Sequence, residues 1–456
     1  MKKMRFYLTL YFTKFVIKFM KLLGFNATNT PGEIALKLCP DILGYLKPAK
    51  TTIVVTGTNG KTSTNNILST TLKNCGYSVI DNGFGSNILS GIVSVLITYC
   101  DLKGVCPQDY ACLEVDERSS AKIFKYLTAD YLICTNLQRD SLMRNANVDF
   151  IFNIINNSID KRTVLVLNGD DLISSQLGKG KNQRYFFSVK QQENEISRDN
   201  LVKDIVVCPN CGENLTWDFV RYHSIGIGHC ERCGFHNEKA QFVFETCENN
   251  LVTFNVDGDI KKFPLVGYRT TDYYNQSAVI SVLSLCGINY DKLYNAFTNT
   301  KVPTSRFTSY TFNGIEVLSI LSKGMNPIAV SSSLDVVNKD PRKKAVVLYL
   351  DDGHETKSSS ENICWIYDVD FEFLKNCNVS SISIGGKRCD DYLVRMLYGG
   401  IDPSIIKTSF NPALTANDLD VSDIEAVYIL YDMYDIPNYK KIFENVKNAC
   451  LKRGLK

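Results

Sequence analysis

The chain has 456 residues, 45% hydrophobic and 22% charged, with 51 Lys and Arg against 48 Asp and Glu for a net charge of +3. That length holds roughly two to three ordinary domains, and the composition is that of a folded globular chain rather than a disordered or fibrous one. A balance this close to neutral excludes a chain devoted to a polyanion, which needs a strongly basic face, so no nucleic acid is expected as a partner.

Residues 1–25, "MKKMRFYLTLYFTKFVIKFMKLLGF", read as a helix in which Lys14, Lys18 and Lys21 interrupt the apolar residues at helical spacing. A spanning helix wants about 20 nearly uncharged residues, and a signal peptide wants an unbroken apolar core and a cleavage site; neither is present. A helix packed against the protein body is the plain reading, and a helix resting on a membrane surface is the sharper alternative. "NTPGEIALKLCPDIL" follows as a turn and a second helical stretch.

From residue 51 strands and helices alternate: "TTIVVTG", the helix after Lys61, "YSVID", "YACLEVD", "ADYLICTN" and "RTVLVLNGD". This order predicts an α/β domain with a parallel-rich sheet covered on both faces. A cysteine-bearing insertion interrupts it, "QFVFETCENNLVTFNVDGDIKKFPL" alternates like antiparallel strands, and a helix is expected from about 274 to 287. Beyond the linker "TKVPTSRF" a second alternating set begins with "IEVLSILS", "KAVVLYLDD", "VSSISIGG" and "IEAVYILYD". The expected organisation is a helical segment at 1–48, a nucleotide-binding domain at 49–302 with the insertion at about 200–242, and a smaller Rossmann-like α/β domain at 303–456.

"VTGTNGKTST" follows a strand and opens a helix, the setting of a phosphate-binding loop. Gly57 and Gly60 let backbone N–H groups approach phosphate oxygens, Lys61 brings positive charge to them, and the Thr62 hydroxyl can ligate Mg²⁺. Val55 occupies the first glycine position of the usual pattern, so the match is incomplete. "CLEVDERSS", at the end of the next credible strand, offers Glu114, Asp116 and Glu117 to the ligand crevice. Glu114 lies deepest in the apolar run.

Cys208, Cys211, Cys230 and Cys233 form two Cys-x-x-Cys pairs with eighteen residues between them, the spacing of a closed zinc ribbon. Four thiolates leave no position for water, so the metal is expected to staple the insertion and not to catalyse. The other cysteines lie in apolar runs such as "YLICTNL", as small buried hydrophobes in a reducing cytoplasm.

The loop "GTNGKTST" resembles the ATP loop of the Mur ligases. The set "NTPGEIALKLCPDIL", "NGFGSNILSGI", "LEVDERS", "TNLQRDSLMR", "LNGDDLISSQLG", the four-cysteine insertion, "YYNQSAVISVL", "SRF", "WIYDVDFE" and "GGKRCDDYLVRMLYGGI" resembles their MurT branch, nearly end to end. The resemblance implies a Mur ligase-type P-loop domain with an inserted zinc ribbon of four cysteines. It further implies a ligase that phosphorylates a carboxylate with ATP and displaces the phosphate with ammonia. In that branch the acceptor is the D-glutamate α-carboxylate of the lipid II stem peptide, and the ammonia comes from a glutaminase subunit, GatD.

Carried over by position, Gly57, Thr58, Asn59, Gly60, Lys61, Thr62 and Ser63 would cradle the nucleotide, and Thr62 and Glu114 would ligate Mg²⁺. Asn275 would lie near the base, and Arg306 would reach the phosphates from the linker. Asn87 and Arg139 match further family positions. Asp368, with Asp352 and Asp370 behind it, would orient the partner's catalytic histidine. The four histidines, 223, 229, 236 and 354, and the absence of a Gly-x-Cys-x-Gly elbow leave the chain without a glutaminase of its own. The competing readings are a folylpolyglutamate synthase-like ligase, a zinc-ribbon nucleic-acid-binding ATPase and a non-catalytic scaffold subunit.

Overall fold

The computed structural model describes residues 2–25, 28–83, 86–139, 147–193, 195–267, 269–300, 307–322, 325–350, 363–375, 377–432 and 435–453. Arg306, Asp352 and His354 lie outside the described residues. The chain forms two units. The first is built from Met1–Arg139, Asn147–Arg198 and Asp204–Val302; the second is built on Pro303–Lys456 and takes in Asp199–Lys203.

The first unit carries helices α1 (Lys2–Leu22), α2 (Thr30–Leu38), α3 (Lys61–Asn74), α4 (Leu89–Tyr99), α5 (Ser120–Phe124), α6 (Val148–Ser158), α7 (Thr270–Leu285) and α8 (Tyr290–Thr298). Its strands are β1 (Thr51–Thr56), β2 (Val79–Asp81), β3 (Tyr110–Glu114), β4 (Tyr131–Cys134), β5 (Val164–Asn168), β6 (Arg184–Val189), β7 (Thr216–Tyr222), β8 (Ile225–His229), β9 (Phe242–Glu248), β10 (Leu251–Val256) and β11 (Asp259–Pro264). Nine of these form one sheet in the order β11-β10-β9-β6-β5-β4-β1-β3-β2. Its pairs run parallel from β2 to β9, and β10 and β11 close one edge antiparallel.

Along β1, β3, β4 and β5 both faces of this sheet are buried, which is why these strands read as unbroken apolar runs. Val54 joins the core under α1, α2 and α4, while Ile53 and Val55 join the core under α3, α7 and α8. In α2, Gly32 has no substitute, because a Cβ there would stand 1.8 Å from the Ser90 carbonyl oxygen of α4. The chain leaves β1 through α3 toward β2 and later crosses to β4 on β1's other side. The loop after β1 therefore opens at a topological switch point, where α/β sheets bind ligands.

The sequence pattern does not announce strand β6, "RYFFSV", because its first two residues are only partly buried and polar residues precede it. Helix α7 starts at Thr270 rather than near 274, because the Asp272 carboxylate accepts from the Arg269 backbone N–H (3.2 Å) and side chain (3.0 Å) and caps the first turn.

The second unit has strands β12 (Phe307–Phe312), β13 (Ile315–Leu321), β14 (Lys344–Tyr349), β15 (Val379–Gly385), β16 (Ile406–Ser409) and β17 (Ala426–Tyr431), ordered β12-β13-β17-β14-β15-β16. Only the β12–β13 hairpin is antiparallel. Helices α9 (Pro327–Lys339), α10 (Cys364–Tyr367), α11 (Cys389–Tyr398) and α12 (Ile436–Lys452) complete it. Among the described residues no helix is long and apolar enough to cross a membrane.

Candidate active site

The loop between β1 and α3 turns on two glycines at positive φ, Gly57 at 124° and Gly60 at 89°. The need for glycine comes from beneath the loop as well as from any ligand above it. A Cβ on Gly57 would stand 2.3 Å from Thr135 Oγ1, and one on Gly60 would stand 2.7 Å from Asn275 Oδ1. Gly60 caps α3, whose first N–H groups have no intrahelical acceptor and supply an anion-binding end.

Residues 135–138, following β4, clamp this loop. Thr58 N donates to the Asn136 carbonyl at 2.9 Å, and Asn59 N donates to Asn136 Oδ1 at 3.0 Å. The Asn59 side chain donates to Gln138 Oε1 at 3.0 Å, while Thr135 Oγ1 donates to the Asn59 carbonyl at 2.7 Å. Thr58 and Asn59, expected to hold nucleotide, thus spend their side chains on the shape of the loop. Asp171 stands behind the clamp and accepts from Leu137 N at 2.7 Å; burial pushes its carboxyl up to about 6.

Lys61 opens α3 and folds back over the loop. Its Nζ donates to the carbonyls of Gly57 and Thr58 and, at 2.9 Å, to Glu117 Oε1. Only 13% and 10% of the two side chains are exposed. Burial opposes the lysine's charge, but Glu117 overcomes it and the ammonium titrates above its ordinary range. Burial raises the Glu117 carboxyl against the pull of Lys61. Thr62 and Ser63 follow on the first turn of α3, both partly buried.

Glu114 ends β3 beside Val55 of β1 and is 4% exposed. Asn82 grips its backbone through two bonds of 2.8 Å, and Asn87 Nδ2 donates to its Oε1 at 2.9 Å. Asp116 instead accepts from the backbone of Arg118 and Ser119 and shapes the turn into α5. The three acids of "LEVDE" therefore separate: Glu114 at the strand end, Asp116 in the turn, Glu117 on the lysine.

Asn275 does not open α7 but lies in its second turn, where its Oδ1 accepts from Thr64 Oγ1 at 3.0 Å, against Gly60. Arg139 is held by Asp204, with Nε to Oδ1 at 2.7 Å and N to Oδ2 at 3.0 Å.

In the insertion, each Cys-x-x-Cys pair forms a knuckle: Gly212 N donates to Cys208 O and Gly234 N to Cys230 O, both at 2.9 Å. Cys208 and Cys233 Sγ lie 3.5 Å apart, Cys211 and Cys230 Sγ 3.6 Å apart, and all four within 4.8 Å of one another. A tetrahedron with Zn–S near 2.3 Å has edges of about 3.8 Å, so the four sulfurs fit such an ion. His229 bonds Asp218 and His236 bonds the Asn237 carbonyl, outside this cluster. Arg221 of β7 anchors the insertion: it forks onto Glu195 at 2.9 and 3.0 Å, reaches Asp170 at 3.3 Å and also bonds Tyr274. Tyr274 in turn donates to Asp170 at 2.6 Å.

In the second unit Asp368 follows α10 and is partly buried, with its N–H donating to the Trp365 carbonyl at 3.2 Å. Asp370 is buried and already engaged: Asn200 Nδ2 donates to Oδ2 at 2.8 Å and Leu201 N to Oδ1 at 2.7 Å.

A glycine-lysine loop between a parallel strand and a helix, with acids at the next strand's end, defines a P-loop nucleotide-binding protein of the α/β class. Two family models match the chain: Mur ligase middle domain over residues 55–207, and MurT ligase C-terminal over residues 321–434. The chain is 28% identical over 442 residues to the lipid II isoglutaminyl synthase (glutamine-hydrolyzing) subunit MurT of Staphylococcus aureus, covering 96% of each chain. Among solved structures its fold matches a pseudomurein peptide ligase type C from Methanothermus fervidus, with TM-score 0.70 and 18% identity over 90% of this chain and 81% of the other. It also matches MurF ligase from Thermotoga maritima in complex with ADP, with TM-score 0.58 and 17% identity over 92% and 84%. The chain is similar to the Mur ligases, and nearly end to end to their MurT branch.

Proposed function

We propose that this chain is the ligase subunit of a lipid II isoglutaminyl synthase. It uses ATP to amidate the D-glutamate α-carboxylate of the lipid II stem peptide to D-isoglutamine, through an acyl phosphate, with ammonia from a glutaminase subunit of the GatD kind. One observation carries this reading: an intact glycine-lysine loop with its strand-end glutamate is joined in one chain to a MurT-type C-terminal domain.

A carboxylate is a poor electrophile and its phosphate anhydride a good one, so the protein's part is to position the reactants and offset charge. Gly57, Gly60 and the open end of α3, with Thr62 and Ser63, bind the phosphates. Lys61 exchanges Glu117 and the loop carbonyls for phosphate oxygens. Thr62 and Glu114 fit Mg²⁺, which when bound offsets phosphate charge, and Asn87 aims the Glu114 carboxylate. Asn275 supports the loop from below in addition to any contact with the nucleotide, and Arg306 of the linker reaches the phosphates. Asp368 orients the partner's histidine. Residues 49–302 form the ATP-binding domain and 303–456 the partner-facing one. The four cysteines hold structural zinc, and the protein works in the cytoplasm.

The test is co-expression with a glutaminase partner, followed by mass spectrometry of the stem peptide for the acid-to-amide change. An unchanged mass with ATP and glutamine present overturns the reading.

A further inference from the structure

Helix α1 presents two apolar faces, and the protein uses only one. Phe6, Leu10 and Ile17 are buried in the core with α2 and α4. Lys14 and Arg5 fasten the helix, Lys14 Nζ donating to the Ile97 and Cys100 carbonyls at 2.8 and 2.6 Å, and Arg5 Nε to the Leu38 carbonyl at 2.5 Å. On the opposite side Leu8, Tyr11, Phe12, Phe15, Phe19 and Leu22 are between 47% and 83% exposed. At about 100° per residue these six fall within a sector roughly 100° wide, a continuous apolar stripe rather than scattered exposure.

Charge indicates what covers it. Residues 1–25 contain six Lys and Arg and no Asp or Glu, twice the net +3 of the whole chain, so the remainder is net acidic. Lys2, Lys3, Lys18 and Lys21 are all exposed; Lys18 borders the stripe on its Tyr11 side, and Lys21 lies further round the helix on that same side. A second copy would oppose these cations to themselves, and protein interfaces are depleted in lysine. A helix with aromatic rings on one face and lysines at its margin matches an anionic bilayer, whose acyl boundary takes the rings and whose headgroups take the cations.

We propose that the outward face of α1 is a docking surface for anionic phospholipid, holding the protein on a membrane without spanning it. This goes beyond the proposed reaction and does not depend on it.

The experiment is co-sedimentation of the full chain, without nucleotide or muropeptide, with vesicles of phosphatidylcholine alone or mixed with phosphatidylglycerol. Binding is expected on the anionic vesicles, weakening with added salt. Phe15→Ser with Phe19→Ser is expected to lower the partition coefficient about tenfold or more, and Lys18→Gln with Lys21→Gln roughly tenfold at low salt. All four side chains point to solvent, so the fold should survive, and amidation of a soluble acceptor should be unchanged. The proposal is overturned if the chain stays in the supernatant with anionic vesicles, if it binds neutral vesicles equally, or if both double variants bind like the parent. It is also overturned if sedimentation velocity shows a dimer that Phe15→Ser with Phe19→Ser dissociates.

Discussion

Asn87 holds the carboxylate of Glu114, Nδ2 to Oε1 at 2.9 Å, at the strand end beside the phosphate loop. Glu114→Gln is expected to lower kcat/KM about 100-fold or more, because a neutral amide is a poor Mg²⁺ ligand. Asn87→Ala keeps the acid but frees its orientation, and costs roughly tenfold. ADP release measured against Mg²⁺ concentration checks both, with higher Mg²⁺ recovering more activity in Asn87→Ala.

Lys61 is the loop's one cationic side chain and sits on Glu117 with little exposure. Lys61→Met should lower ATP-dependent amide formation about a thousandfold while the circular dichroism spectrum stays that of the parent. Retained amidation would refute the assignment.

The four sulfurs gather a small core of Leu172, Cys208, Cys230 and Phe235, too small to fold the insertion by itself. Zinc is expected to co-purify in stoichiometric amount, and Cys230→Ser or a strong chelator should loosen the insertion first. Limited proteolysis between β7 and β9, with metal analysis, reads this out.

Arg221 is almost fully buried with Asp170, Glu195 and Tyr274 around it. Arg221→Met leaves Asp170 without its cation and should cost about 3–5 kcal/mol. Adding Asp170→Asn should recover part of that, a coupling a double-mutant cycle in urea would measure.

Asp171 has its carboxyl raised by burial to about 6, above its ordinary 3.8. The folded chain therefore keeps a proton that the unfolded chain releases, and this group's contribution makes stability fall as pH rises from about 4 to about 6, by at most about 3 kcal/mol. Asp171→Asn should flatten that part of the curve, read from urea midpoints across the same range.

The sheets were legible where both faces are buried: β1, β3, β4 and β5 are apolar runs that leave no other assignment. β6, β12 and β16 are not legible because they are partly exposed and carry polar residues. The loop, the strand-end acids and the four cysteines were legible because each chemistry demands particular residues at short spacing. The clamp from 135–138 was not, since amide-to-backbone bonds leave no charge or periodicity to read. The partnership of Lys61 with Glu117, 56 residues away, follows from the adjacency of β1 and β3, which no local pattern states.

Residues 199–203 belong to the second unit although the chain on either side of them builds the first. A gene fragment for 303–456 would therefore lack Asn200 and Leu201, stranding the buried Asp370 carboxylate without the two donors it has in the whole protein. Dissecting this molecule at its linker would yield a misleadingly unstable half, and a faithful one has to carry that borrowed pentapeptide with it.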